Sequence, residues 1–314
     1  MIKALDTFIP EARIGIEEIF QESCTQNRFP PVFGSIQEGV DFYRNTLKLN
    51  KVSFADGLTE WQMADNLMTR FLNTQCIDVT SINLLIIVVN EQYRTSEHGY
   101  IGHYLQYIYK LCNADVIHIS GNHCANTEYA IILAETLLIA GQMQHILIVN
   151  VSLFRQHEER IVGTYGIHGD GAGIIYLNSD KCDSVHILGH HSYTNGSLYK
   201  ANVYDPMASL LICKNYLFCL VSFVKKYGIR PTDVLAVMVQ NANHLLISQC
   251  LQHIGFGQEL LLLENNNKYG HLDSIDFIVN LKSIMEGPLP KGSKFFSFGT
   301  GWAGSNCCIY MQKN

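Results

Sequence analysis

Ala114–Ala134 reads ADVIHISGNHCANTEYAIILA. Ala114–Ile119 is a short apolar run, the signature of a buried strand. The next residues are polar and include Gly121, the composition of a turn. From Asn126 to Gly141 apolar residues recur at helical spacing, and the run closes on Gly, a common helix stop. Strand, turn and helix in this order set Cys124 down at the start of the helix.

The same alternation extends in both directions. Ser81–Asn90 (SINLLIIVVN), His145–Val151 and Gly173–Leu177 read as strands, and Gly102–Cys112 as a helix. The second half repeats the style. Ser184–Gly189 and Val234–Gln240 read as strands, and Pro206–Tyr227 as a long helix. Asn243–Ile254 and Leu272–Met285 read as helices, and Lys294–Phe298 with Asn306–Met311 as a closing strand pair. Near-continuous apolar strands between helices imply an α/β fold whose mostly parallel sheet is covered on both faces. Two similar halves, meeting near residues 178–185, imply a five-layer sandwich of duplicated topology.

The chain has 314 residues, 47% apolar and 16% charged, with a formal net charge of −6. That length buries a sizeable core. Lys and Arg form no dense run, which argues against nucleic acid or an anionic membrane as partner. No basic start followed by an apolar stretch marks a signal peptide. The apolar runs at 84–89 and 129–140 are too short to cross a bilayer, which takes about 20 residues, and 210–223 reads as a buried helix. The ten cysteines show no CxxC pair or repeated framework, so they are expected as reduced thiols of a cytoplasmic protein. Cys307 and Cys308 are expected to pack in a strand.

A cysteine at a helix start has a chemical use. Unpaired backbone N–H groups and the positive end of the helix dipole stabilise a thiolate, the attacking species in acyl transfer. The alternative is a buried cysteine with no role. Ile167–Gly173, IHGDGAG, lacks the Lys-Ser/Thr of a phosphate-binding loop and leads into a strand, so it reads as a tight turn. Val237–Ile247 (VMVQNANHLLI) and Asn266–Asp276 (NNKYGHLDSID) each offer polar groups where a helix begins: Gln240, Asn241 and Asn243 in the first, His271 in the second. Histidine is the usual general base near neutral pH, though a lone histidine is more often simply hydrogen-bonded or solvated. Phe298–Gly304, FGTGWAG, reads as a Gly-rich loop between two strands, either an ordinary hairpin or a backbone brought against a reaction centre.

Taken together and in order, these segments resemble the ketoacyl synthase III branch of the thiolase-fold enzymes. Phe8–Ile19 (FIPEARIGIEEI) is similar to that branch's first strand, turn and helix. The Cys124 segment is similar to its nucleophile segment, HGDGAG to its Gly-Asp-Gly-Ala-Gly turn, and Phe296–Gly304 (FSFGTGWAG) to its closing loop. The resemblance implies a thiolase-like five-layer sandwich of two βαβαβαββ halves. Residues 1–180 would carry the nucleophile Cys124 and residues 181–314 the catalytic His271. It implies a dimer, homodimeric or paired with a related subunit. It also implies a ping-pong cycle in which Cys124 is acylated by acyl-CoA or by an acyl-carrier protein, with no resident cofactor or metal. Backbone N–H groups of Cys124 and of the loop near Gly301 would hold the oxyanion.

The departures from that pattern narrow the expectation. Relatives that condense with malonyl thioesters use a His that opens a His-Gln-Ala-Asn motif and an Asn that follows Tyr-Gly. Here the first motif is Gln240-Asn241-Ala242-Asn243, and Tyr269-Gly270 is followed by His271. Asn126 stands in place of the usual Gly after Cys-Ala. Gln240 can donate a hydrogen bond but takes up no proton near neutral pH. A Cys124–His271 dyad, supported by Gln240 and Asn243, is therefore expected to keep the acylation step and to serve acyl transfer to a small-molecule or carrier-bound acceptor in specialised metabolism. The alternatives are a non-catalytic partner subunit of a heteromeric synthase and a decarboxylating ketosynthase.

Overall fold

The computed structural model describes residues 1–25, 30–89, 101–180, 185–199, 206–301 and 304–314. Asn90, Ser184, Trp302 and Ala303, which belong to segments read above, lie outside the described residues, and the expected junction at 180/181 borders the undescribed 181–184. The strands are β1 Ile2–Phe8, β2 Arg13–Gly15, β3 Lys51–Ser53, β4 Leu84–Val89, β5 Asp115–Ile119, β6 His145–Ser152, β7 Ile161–Val162, β8 Gly166–Ile167, β9 Gly171–Asn178, β10 Val185–Thr194, β11 Ala236–Val239, β12 Leu261–Leu262, β13 Lys294–Thr300 and β14 Ser305–Lys313. The α-helices are α1 Ile16–Thr25, α2 Ile36–Asp41, α3 Glu60–Gln75, α4 Ile101–Ile108, α5 Asn126–Ile139, α6 Pro206–Tyr227, α7 His244–His253, α8 Glu264–Tyr269 and α9 Asp276–Glu286.

The duplication is explicit in the strand order. The N-terminal five strands run β5-β4-β6-β9-β1 and the C-terminal five run β12-β11-β13-β14-β10. In each set the first three strands are parallel, the fourth runs antiparallel to them, and the fifth is antiparallel to the fourth. One antiparallel pair, Ile2↔Val185, joins the sets into a ten-stranded sheet. Four of the nine pairings are parallel, so the expectation of a mostly parallel sheet is corrected. Each half ends in a strand pair that turns back on itself, which apolar runs alone do not disclose.

Strand alternation makes the layers. In β4, Leu84, Ile86 and Val88 face a central core with α5 and α9, while Leu85 and Ile87 face an outer core with α3 and α4. In the C-terminal half, Ala236 and Met238 face the same central core, while Val237 and Val239 face α6 and α7. The result is the five-layer sandwich of the thiolase-like fold. α3 shows the local logic: a Thr59/Gln62 capping box starts it, and Met63, Leu67 and Phe71, spaced by four, bury its inner face. Each such side chain contributes about 1.5–3 kcal/mol.

Two helical readings need correction. Leu272–Met285 is not one helix: a 3-10 turn, Asp273–Ile275, precedes α9, and Asp273 has a left-handed φ of 57°. The run 210–223 is only half buried. Cys219, Leu220 and Phe223 face the core, whereas Leu210 and Phe218 are 64% and 53% exposed. Met207–Tyr227 is, among the described residues, the one helix long and apolar enough to cross a membrane by length and composition, and it lies against β10, β14 and α7.

The halves also match at their central helices. α5 is entered through a 3-10 turn, His123–Ala125, whose first residue has φ 49°. α9 is entered through Asp273–Ile275 in the same way. The two turns pack against each other where the halves meet.

Candidate active site

β5 delivers the chain to a tight turn. The Asn126 side chain accepts the Asn122 N–H at 2.9 Å, and the Ala125 N–H returns to the Asn122 carbonyl at 3.1 Å. Asn126, which replaces a Gly in the sequence pattern, thus fastens the turn that presents Cys124. The thiol sits just ahead of α5, as the sequence predicts. Its acidity does not follow the prediction. Burial, and then the neighbouring Asp273 and Asp276 carboxyls, push the Cys124 thiol well above its ordinary range, although its own backbone N–H pulls the other way.

His271 meets the sulfur: its Nε2 lies 3.1 Å from Cys124 Sγ. Its Nδ1 lies 2.5 Å from Asp276 Oδ2, and both side chains are buried. Asp276 is itself held, with Oδ2 accepting from the Asn241 N–H and Oδ1 from the Leu272 N–H, both at 2.8 Å. Cysteine, histidine and aspartate therefore form a linear triad, in which the carboxylate fixes the imidazole with Nε2 toward the thiol. Burial alone would lower the His271 pKa, but Asp276 and then Asp273 lift it above the ordinary value.

The HGDGAG turn holds the base from behind. His271 donates its N–H to the Ile167 carbonyl at 3.0 Å, and Gly169 donates to the His271 carbonyl at 2.9 Å. A Cβ at Gly169 would stand 2.5 Å from both Ser53 Oγ and the Tyr269 carbonyl, so this close approach requires glycine. Asp170 is fully buried in a two-pronged pair with Arg160, at 3.0 and 2.8 Å, and also accepts from the Ala55 and Phe154 N–H groups. The ring of His168 lies between Phe154 and His271, stacked at 4.2 and 4.8 Å. Burial, then the charges of His271 and Arg160, keep it well below the usual histidine range.

Gln240 is near the thiol but spent. Its Nε2 donates to the Cys124 carbonyl at 3.0 Å and to the Thr300 carbonyl at 2.7 Å. Its Oε1 accepts from Tyr165 at 2.5 Å and from Thr300 Oγ1 at 2.8 Å. Asn243 caps α7 and donates to the Thr164 carbonyl at 2.9 Å, which fixes the loop carrying Tyr165 and not the sulfur. The Gly301 N–H donates to the Ser305 carbonyl at 2.6 Å, so it closes the β13–β14 hairpin and does not face the thiol.

A cavity of about 80 Å³ opens beside the triad, lined by Val162, Thr164, Tyr165, Ile212, Tyr216 and Asn243 among others. The hydroxyls of Tyr165 and Tyr216 both reach Thr300 Oγ1, at 3.1 and 3.2 Å, at its inner end. Behind the site a cavity of about 10 Å³, room for one water, is lined by Glu128 and Ser297. Among the described residues neither Glu128 Oε2 nor Ser297 Oγ has a hydrogen-bond partner, and burial lifts the Glu128 carboxyl from its ordinary 4.5 to about 8. Among the described residues no three His, Cys, Asp or Glu side chains converge as a metal-binding group. Asp276, Asp273, Tyr165 and Glu128 escape the sequence reading. An acid at a helix start reads as ordinary dipole pairing, and nothing local marks Tyr165 or Glu128 as close to a cysteine.

Comparison with known proteins supports the fold. No family model matches the chain. Beta-ketoacyl-acyl-carrier-protein synthase III of Clostridium perfringens is 25% identical over 205 residues, 57% of this chain and 62% of that protein. The same enzyme of Helicobacter pylori is 24% identical over 217 residues, 60% of this chain and 65% of that protein. The matched region thus spans less than two thirds of these relatives. Among solved structures, the acyltransferase ChlB3 superposes with a TM-score of 0.80 at 18% identity, covering 99% of this chain and 97% of that one. The 3-oxoacyl-acyl-carrier-protein synthase III of Aquifex aeolicus superposes with a TM-score of 0.77 at 16% identity, covering 99% of both.

Proposed function

We propose that this chain, a ketoacyl synthase III-like protein of the thiolase fold, is an acyltransferase that carries its acyl group on Cys124. The observation that carries the reading is the continuous line from Sγ through His271 to Asp276, 3.1 and 2.5 Å long. His271 Nε2 takes the thiol proton as Sγ attacks the carbonyl carbon of a thioester donor. The donor's C–S bond breaks, and its thiolate leaves with that proton. In the second half, His271 takes the proton of an alcohol, amine or carbon acid, the new acyl bond forms, and the electron pair of the breaking thioester bond returns to Sγ.

Two groups are suited to hold the oxyanion. One is the Cys124 N–H. The other is the Thr300 N–H, because the Thr300 carbonyl faces Gln240 and the two groups of one strand residue point the same way. Thr300 thus takes the role the sequence offered to Gly301.

The position of Gln240 favours simple transfer over decarboxylative condensation. All its polar atoms are engaged, and it supplies no proton and no donor to a departing carboxylate. The donor in this reading is an acyl-CoA or an acyl-carrier protein. The cycle calls for no resident cofactor, and a cytoplasmic dimer serving specialised metabolism fits it.

Intact-mass measurement tests the reading. The protein is mixed with acyl-CoA thioesters of graded length and with acyl-carrier protein, alongside a Cys124→Ala control. An adduct confined to Cys124 is expected. No adduct with any donor would sink the proposal in favour of a partner subunit, and CO2 release on adding malonyl thioester would favour a decarboxylating ketosynthase.

A further inference from the structure

α6 and α7 both wall the cavity beside the triad, and each places a cysteine at their contact. We propose that Cys213 and Cys250 are a redox-modification site: a hydroperoxide converts the two thiols into a disulfide that ties α6 to α7, tightens the cavity and slows entry to Cys124. The bridge and its effect on entry do not depend on the acyl-transfer reading; that the bridge throttles acyl transfer rests on it.

Position singles out this pair. Cys213 Sγ and Cys250 Sγ lie 3.7 Å apart on two separate helices. Both are free thiols, Cys213 half-buried and Cys250 buried. Ile212, directly before Cys213, lines the cavity, and so does Tyr216, one turn further along α6. On α7, Leu246 lines it one turn before Cys250. The two sulfurs thus join the helices that wall the cavity. A disulfide brings its sulfurs to about 2 Å, so the bond draws these two walls toward each other. Cys219, Cys307 and Cys308, in contrast, are wholly buried and out of an oxidant's reach.

The chemistry balances with a hydroperoxide as the one co-reactant. Cys213, the thiol nearer to solvent, attacks the peroxide as its thiolate. The O–O bond breaks, water or an alcohol leaves with the thiol's proton, and Cys213 becomes a sulfenic acid. The Cys250 sulfur then attacks that of Cys213. The S–O bond breaks, hydroxide leaves with the Cys250 proton as water, and the disulfide forms. Two thiols are oxidised and one peroxide is reduced. Burial, and then Cys213 itself, push the Cys250 thiol up to about 12, so Cys250 is not the sulfur that meets the oxidant first. In a reducing compartment a disulfide of this kind is transient and is reopened by a dithiol, which suits a sensor better than a structural staple.

Hydrogen peroxide tests the inference on the whole protein, with Cys213→Ala and Cys250→Ala treated in parallel, either of which suffices as the control. After a limiting dose the wild type should lose the mass of two hydrogens, and non-reducing peptide mapping should link the Cys213 and Cys250 peptides. Iodoacetamide alkylation of Cys124 should then slow several-fold, recover with dithiothreitol, and keep its rate in the variants. Absence of the linked peptides at every dose overturns the proposal. A linked pair with unchanged alkylation overturns its effect on the cavity, as does an equal slowing in the variants, which would mark direct oxidation of Cys124. Alkylation that slows only with the bridge, in a protein that accepts no acyl group from acyl-CoA, supports the redox site and overturns the acyl-transfer reading instead.

Discussion

Replacing Asp276 with Asn removes one charge while leaving the shape of the triad. The carboxylate stands 2.5 Å from His271 Nδ1, with both side chains buried. When His271 takes the thiol proton, an imidazolium forms with its charge centre about 4 Å from the carboxylate. At an effective dielectric of about 20 that attraction is about 4 kcal/mol, so its loss should slow acylation about 10³-fold. The pH dependence gives a second signature. Asp276 is the foremost influence lifting His271 against burial, so in Asp276→Asn the imidazole should stay neutral to lower pH. The acidic limb of the acylation profile should then move downward while the plateau falls. Single-turnover release of the donor thiol, measured from pH 5 to 9, reads both effects. A plateau within threefold of the wild type would show that Asp276 does not support the base, and the triad would reduce to a dyad.

Glu128→Gln should stabilise the fold in a pH-dependent way. The buried carboxyl is lifted from 4.5 to about 8, so the unfolded chain loses this proton first and wild-type stability falls as pH rises across that window. At about 1.4 kcal/mol per pH unit the gain of the variant should approach about 5 kcal/mol above pH 8 and vanish near pH 4.5; urea melts at those two pH values check it, and a gain that does not depend on pH would contradict it. Gln240→Ala deletes two hydrogen bonds that hold the Cys124 and Thr300 carbonyls. Acylation should fall about 10- to 100-fold, as for about 1.5–3 kcal/mol of lost positioning, while malonyl decarboxylation stays at background. An unaltered acylation rate would mean that Gln240 does not position the site.

Much of this was legible in the residues. Apolar runs placed β4, β5 and β6, and the Cys124 segment and the Tyr269-Gly270-His271 departure singled out the two side chains that the structure sets 3.1 Å apart. The missing third member was Asp276. It lies five residues beyond His271 and would sit on the same side of one continuous helix only by accident. The 3-10 turn at Asp273–Ile275 bends the chain so that the carboxylate comes back beneath the imidazole, and that bend rests on a left-handed φ at a non-glycine residue. Periodicity carries no trace of it. Gly301 was misassigned for a related reason: which strand amides point outward depends on register, and the Thr300↔Asn306 pairing is set by the whole hairpin. Gln240 and Asn243 were correctly placed near the site, yet the sequence could not show that their amides are consumed by carbonyls.

The duplicated halves have a consequence for biogenesis. The nucleophile comes from the entry to α5 and its base from the entry to α9, and the one strand pair joining the sets is Ile2↔Val185. A nascent chain that has folded only its first half displays a cysteine without the imidazole that draws off its proton. The Cys124–His271–Asp276 line is therefore assembled only when the second half docks. The same docking buries the thiol and brings up the Asp273 and Asp276 carboxyls that push it above its ordinary range, so a separately expressed first half should alkylate at Cys124 as an ordinary thiol and be protected on mixing with the second.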